Sequence, residues 1–280
     1  MIGQDRLLDV IYTQIERYDD FPRFSIIFGA EGSGKKTLAQ SIAVALNCGL
    51  ARVDIKIDAI REMIRTCYTV QEPTVYLIAD ADKMSVSAKN AMLKICEETP
   101  KNAYIIMTVC DESTILNTIS SRAGKYFMQP YTPNEILQYY DEVSNNDATK
   151  IYAITDLCET PGDVNKLLDV GVDDFYNYVE KVVDNIALTS SANAFKIANE
   201  IDFKGGEGYD MVLFLRAFRS ICGKELRRCI AEKSDIVERE HYSAGIRIAS
   251  TALTNAKITG INKSALFDMF ILDIRKEWCE

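Results

Sequence analysis

Residues 29–37 read Gly-Ala-Glu-Gly-Ser-Gly-Lys-Lys-Thr, a loop composition suited to holding phosphate. Gly29, Gly32 and Gly34, with Ser33 between them, let backbone N–H groups turn inward around phosphate oxygens. A helix beginning at Lys35 would add positive potential at its N-terminus. Lys35 is placed to reach the β- and γ-phosphates of a nucleotide. The pattern asks for Ser or Thr directly after that lysine, because the hydroxyl ligates Mg²⁺. Lys36 stands there instead, and Thr37 comes one residue late. A second ammonium repels Mg²⁺ but still attracts a free anion. The loop therefore suits ATP, ADP or phosphate binding better than metal-assisted hydrolysis.

Such a loop needs a strand before it and a helix behind it. Residues 24–28 are a short apolar run, and 35–48 place Leu38, Ile42, Ala45 and Leu46 at helical spacing. Next, 53–58 alternate apolar and charged residues, as a strand would, and 59–69 read as helix. The run 74–79 is almost wholly apolar, the pattern of a strand buried on both faces. A helix over 85–98 stops at Thr99-Pro100, and strands follow at 103–109 and 126–129. Strands alternating with helices predict an α/β fold with a parallel sheet.

At Thr132-Pro133-Asn134-Glu135 the character changes, with Thr132 and Glu135 spaced as a capping box around Pro133. From there the chain reads as amphipathic helix without a strand, broken at Pro161-Gly162, at Gly171 and at Gly205-Gly206 with Gly208. The expected organisation is an α/β domain over 1–130, a small helical domain over 131–185 and a helical C-terminal domain over 186–280. The helix over 211–233 carries Arg216, Arg219, Lys224, Arg227 and Arg228 around about half its circumference. That face could meet DNA or an acidic partner. A solvated face with local ion pairs is the favoured reading. Met211, Phe214, Phe218 and Ile221 are expected to pack between helices.

Composition narrows the classes further. The chain has 280 residues, 48% of them apolar, with 32 Lys+Arg against 41 Asp+Glu and a net charge of −9. That apolar share excludes a disordered chain, and the acidic balance argues against broad nonspecific nucleic-acid binding. No stretch reaches the ~18–20 apolar residues of a membrane span. Residues 1–10 lack the basic and apolar regions of a secretory signal, so a soluble cytoplasmic protein is expected. Cysteines at 48, 67, 96, 110, 158, 222, 229 and 279 never form C-x-x-C, and the only histidine is His241. No zinc site, disulfide scaffold or histidine triad is expected from them.

Taken together, Ile2-Gly3-Gln4, the 29–37 loop, Tyr76–Met84, Ala88-x-Asn90-Ala91-x-Leu93-Lys94-x-x-Glu97-Glu98-x-Pro100 and Ile119-Ser-Ser-Arg122 resemble bacterial clamp-loader subunits of DNA polymerase III. These are AAA+ proteins, and Ile57-Asp58-x-Ile60-Arg61-Glu62 is similar to the delta-prime type. The motifs cover about the first 130 residues. The resemblance implies an AAA+ core, a helical lid and a C-terminal helical collar. It also implies a hetero-oligomer with gamma/tau-like and delta-like subunits, a sliding clamp, and primer-template DNA reached through the complex.

In AAA+ ATPases the central strand usually ends in Asp-Glu followed by Ala-Asp. Aligned on Ala81-Asp82, the metal Asp becomes Ala79 and the catalytic Glu becomes Asp80. With Lys36, two motifs have lost their metal-handling residues. The resemblance thus implies a DNA-replication subunit that requires no cofactor and hydrolyses little or no ATP itself. It supplies Arg122 in trans to a neighbour's ATP site, while Thr108, near the sensor position, is read as structural. The family's Cys₄ zinc module is missing, because Cys48 runs almost directly into Arg52–Asp58. Ala123 replaces the cysteine of the family's Ser-Arg-Cys, and Glu159-Thr-Pro-Gly-Asp163 lacks the arginine that nucleotide-binding relatives carry. The first two departures fit a divergent member, chromosomal or phage-borne. Two other readings stand beside this one. The first is a working ATPase of the same fold in which Thr37 or water replaces the metal ligand. The second is a stand-alone phosphate-loop kinase, which needs neither the Ser-Arg element nor the long helical C-terminus.

Overall fold

The computed structural model describes residues 1–18, 20–144, 151–186, 201–202, 209–258 and 260–279. They fall into two compact units, 1–139 with 160–162, and 140–159 with 163–280.

The first unit is built on five parallel strands: β1 Phe24–Phe28, β2 Gly49–Val53, β3 Thr74–Ile78, β4 Ala103–Val109 and β5 Gly124–Phe127, in the order β2-β3-β4-β1-β5. Helices α1 Asp5–Tyr18, α2 Lys35–Ala45, α3 Ile57–Thr69, α4 Val86–Glu97, α5 Asn117–Ser120 and the first seven residues of α6 Pro133–Val143 complete it. The strands' two-residue period divides the core. Phe24, Ile26, Phe28, Tyr76, Ile78, Ile105 and Met107 face Ile60, Met63, Met92 and Ile95 of α3 and α4. Ile27, Val75, Leu77, Ile106 and Tyr126 face Ile11, Leu38 and Ile42 of α1 and α2. With helices on both faces, the central strands are largely apolar, and their buried hydroxyls, Ser25 and Thr108, both take part in hydrogen bonds.

The strand expected over 53–58 lies earlier, at Gly49–Val53, paired only with β3 from Gly49↔Thr74 to Val53↔Ile78. Asp54 ends it, its carboxylate accepting the Lys56 N–H at 3.0 Å, and α3 begins at Ile57. The apolar alternation came from Ile55 and Ile57, which are partly buried against the core outside any strand. Helix α2 stops at Ala45 because Asn47 turns left-handed (φ 52°) and the Cys48 N–H returns to the Ala43 carbonyl at 2.9 Å. The last strand also starts two residues early, at Gly124, where a Cβ would lie 2.6 Å from Pro22. The capping box is formed: the Thr132 N–H donates to Glu135 Oε2 at 2.7 Å, and the Glu135 N–H donates to Thr132 Oγ1 at 3.3 Å.

The second unit is almost wholly helical. It contains α7 Ile151–Leu157, most of α8 Pro161–Val170, α9 Val172–Asn185, α10 Met211–Glu232, α11 Ile236–Ala256 and α12 Lys263–Cys279. Gly171 separates α8 from α9 at φ 89°, whereas the glycines at 205, 206 and 208 lie outside the described residues. Contrary to the strand-free expectation, Ile201–Asp202 (β6) and Tyr209–Asp210 (β7) pair in parallel over two residues. Met211, Phe214, Phe218 and Ile221 are buried as expected. Phe214 meets Phe267 edge-on at 5.4 Å, and Phe218 meets Phe270 at 5.1 Å. No described helix is long and apolar enough to cross a membrane.

Candidate functional site

The glycine loop joins the C-terminal end of β1 to α2. Gly32 (φ 76°) and Gly34 (φ 93°) adopt left-handed conformations that side-chain-bearing residues avoid. Lys35 is buried, and its ammonium donates to the carbonyls of Gly29 at 2.8 Å and Ala30 at 2.7 Å and to Cys110 Sγ at 3.3 Å. The lysine is therefore folded onto its own loop. Burial pushes the Cys110 thiol above its usual pKa, and the Lys35 charge opposes that shift.

Two segments far along the chain close around the loop. The Tyr131 hydroxyl donates to the Ser33 carbonyl at 2.7 Å, while Ser33 Oγ points to Met128 Sδ at 3.4 Å. The Gly162 N–H donates to the Gly32 carbonyl at 3.0 Å. A Cβ at Gly162 would lie 2.5 Å from Gly32 Cα, and one at Gly32 would lie 2.6 Å from Thr160 Oγ1. Gly162→Ala should therefore force the two backbones apart at a cost of about 1–3 kcal/mol. Urea unfolding of the variant measures this, and an unchanged midpoint would show that residues 160–162 are not seated on the loop.

Lys36 lies in the exposed first turn of α2 and pairs with Asp80 Oδ2 at 2.9 Å. Asp80 is left-handed (φ 54°), and its N–H donates to Oγ1 of the fully buried Thr108 at 3.0 Å. Thr108 thus fixes the turn after β3. Asp82 Oδ1 accepts the Cys110 N–H at 3.3 Å. Thr37 is exposed, and its carbonyl takes the Ser41 hydroxyl at 3.1 Å. A lysine–carboxylate pair thus spans the region where a hydroxyl and a carboxylate would share Mg²⁺. With an ammonium directed at Asp80 and a methyl group at Ala79, these residues do not fit the metal.

Arg122 is elsewhere. It follows α5 and precedes Gly124, which pairs with Ser25 at the start of β1, whereas the glycine loop leaves β1 after Phe28. Arg122 and the loop therefore sit at opposite ends of the parallel strands, and the arginine does not serve its own chain's loop. Arg122 NH2 pairs with Glu97 Oε1 at 2.7 Å, and NH1 donates to the Thr118 carbonyl at 2.6 Å. The side chain remains 38% exposed, so donors on it are accessible.

The basic helix divides on inspection. Arg216 is buried and bonds Asp163 at 2.9 Å, Glu159 at 2.8 Å and the Leu157 carbonyl at 2.7 Å, which removes it from any binding face. Arg228 pairs with Glu225 at 2.6 Å, and Lys224 lies 4.9 Å from the Tyr176 ring centre. Among the described residues no group of three or more His, Cys, Asp or Glu side chains could hold a metal ion. The sequence reading gave Tyr131 and Cys110 no part in the loop, and noted residues 159–163 only as a helix break and as a segment without the arginine of nucleotide-binding relatives.

A family model described as "DNA polymerase III, delta subunit" matches residues 50–132. The gamma/tau subunit of DNA polymerase III from Mycoplasma genitalium is 25% identical over 181 residues, covering 54% of this chain and 30% of that protein. The delta-prime subunit from Bacillus subtilis is 24% identical over 164 residues, covering 48% of this chain and 50% of that protein. The chain therefore spans half or less of the length of these relatives. A gamma subunit-related protein of DNA polymerase III from Thermotoga maritima superposes with a TM-score of 0.51 at 15% identity, covering 97% of this chain and 99% of that one. The fold is that of an AAA+ parallel-sheet domain followed by a helical C-terminal region.

Proposed function

We propose that this chain is a clamp-loader subunit of the DNA polymerase III type, delta-prime-like, that does not hydrolyse ATP itself; the partial family match over residues 50–132 and the clamp-loader relatives support that reading. It lends Arg122 to the ATP site of a neighbouring subunit while a sliding clamp is loaded during DNA replication. The observation that carries the reading is the Lys36–Asp80 ion pair at 2.9 Å, set where the metal would be handled. The placement of Arg122 at the opposite strand ends supports action across a subunit boundary. A guanidinium suits that task because it stays charged and offers planar, forked donors to phosphate oxygens. Such donors stabilise the charge spread over a transferring phosphoryl group.

The proposed partners are gamma/tau-like and delta-like subunits and a sliding clamp, with primer-template DNA met through the assembled complex in the cytoplasm. The chain's own loop needs no cofactor for this role, and a nucleotide or phosphate without metal is the ligand its composition would suit.

The purified chain given Mg·ATP is expected to show no turnover above background. Turnover that disappears in Lys35→Ala would instead establish a working ATPase. Metal analysis of the same tag-free preparation should find no stoichiometric zinc.

A further inference from the structure

We propose that Glu97 is the positioning residue of Arg122, holding the guanidinium in the orientation in which it meets a neighbour's phosphate. The inference rests on the reading that Arg122 acts in trans. Glu97 ends α4, and Thr118 lies in α5, so two separate elements grip the two terminal nitrogens at 2.7 and 2.6 Å. Contacts from two directions fix the plane of the group, which a single contact would leave free to swing. A guanidinium has five N–H donors, and these two contacts use one from each terminal nitrogen. Three donors remain for phosphate oxygens.

The placement of the acid points the same way. A carboxylate in the last turn of a helix opposes the helix dipole, whose C-terminal end is negative. Glu97 carries that unfavourable position, and the Arg122 cation offsets it. The pair is half exposed on both sides, 38% for Arg122 and 50% for Glu97, and exposed pairs of this kind add little net stability. It is accordingly too weak to withhold the arginine from a multiply charged phosphate. It is still sufficient to select among the many rotamers of a long, flexible side chain. Ordering such a side chain only at the moment of reaction corresponds to roughly 10–30-fold in rate.

The test uses the complex reconstituted with its ATPase subunits and clamp. Glu97→Ala should lower the kcat of clamp-stimulated ATP turnover at the affected site by roughly 10–30-fold, with KM for ATP unchanged. Glu97→Gln keeps an acceptor oxygen of the same reach and should lose less. In an Arg122→Ala background, Glu97→Ala should add no further loss, because both variants then lack the same group. Assembly checked by size exclusion guards against misfolding, and Glu97→Gln carries the test if Glu97→Ala fails to assemble.

Unchanged turnover in Glu97→Ala, with Arg122→Ala impaired, would overturn the positioning role and leave the trans arginine standing. Faster turnover would make Glu97 a restraint, and a further loss in the Arg122→Ala background would make it structural; either overturns the proposal. An Arg122→Ala complex of normal activity would overturn the trans reading itself.

Discussion

Arg122→Ala is expected to leave this chain folded and assembled while ATP turnover at one neighbouring site falls by about 10³-fold or more. The two halves of that expectation rest on different physics. The substitution removes a half-exposed ion pair to Glu97 and a bond to the Thr118 carbonyl, neither within the apolar core. Truncations of that kind typically cost under ~0.5 kcal/mol, so the thermal midpoint of the isolated chain should barely move. The catalytic loss is large because an arginine supplied to a transferring phosphoryl acts on charge that develops only in the transition state. Total turnover would fall less wherever other sites of the complex fire independently. Single-turnover or clamp-loading assays are therefore the informative ones. Normal clamp loading by an intact mutant complex would reduce Arg122 to a surface arginine.

How far this arrangement could be read from the residues follows from the range of each interaction. Strands β1 and β4 appear at the bounds their apolar runs predict, because strands covered on both faces have no solvent side to dilute the pattern. Strand β2 is an edge strand with one neighbour and a partly exposed Gly-Leu-Ala-Arg-Val sequence, so burial does not dictate its composition. The alternation that suggested a strand starting four residues later, at Val53, belonged to Ile55 and Ile57, which pack from a loop and a helix start.

The candidate site shows the same division. The glycine loop is legible because its conformation depends on nearby residues, as does the capping box of Thr132 and Glu135. The contact of Gly162 with Gly32 joins segments that no local pattern connects, and the same is true of Tyr131 on Ser33 and Glu97 on Arg122. Lys36 and Asp80 were each recognised as departures from metal-binding motifs. That one departure answers the other across 44 residues emerged only from the fold.

Arg216 is the strongest case of a residue whose sequence context misleads, and it supports the second large prediction. Helical spacing sets it among the basic residues of α10, yet its guanidinium is buried against carboxylates that lie more than 50 residues earlier. Asp163 is only 14% exposed, and Arg216 NH1 also holds the Leu157 carbonyl, so α7, the start of α8 and α10 are joined through one side chain. Removing one partner of a buried pair leaves the opposite charge desolvated without its cation, which typically costs about 3–5 kcal/mol. Arg216→Ala should therefore destabilise the helical unit by that amount, seen as a lower urea midpoint. Arg216→Lys keeps the charge but cannot reach three acceptors with one planar fork, and should fall between wild type and alanine. Arg227→Ala on the same helix is the control and should stay within ~0.5 kcal/mol. Equal stability of the Arg216 and Arg227 variants would show that the network adds nothing. A DNA-binding loss confined to Arg216→Ala with its urea midpoint unchanged would return that arginine to the binding face.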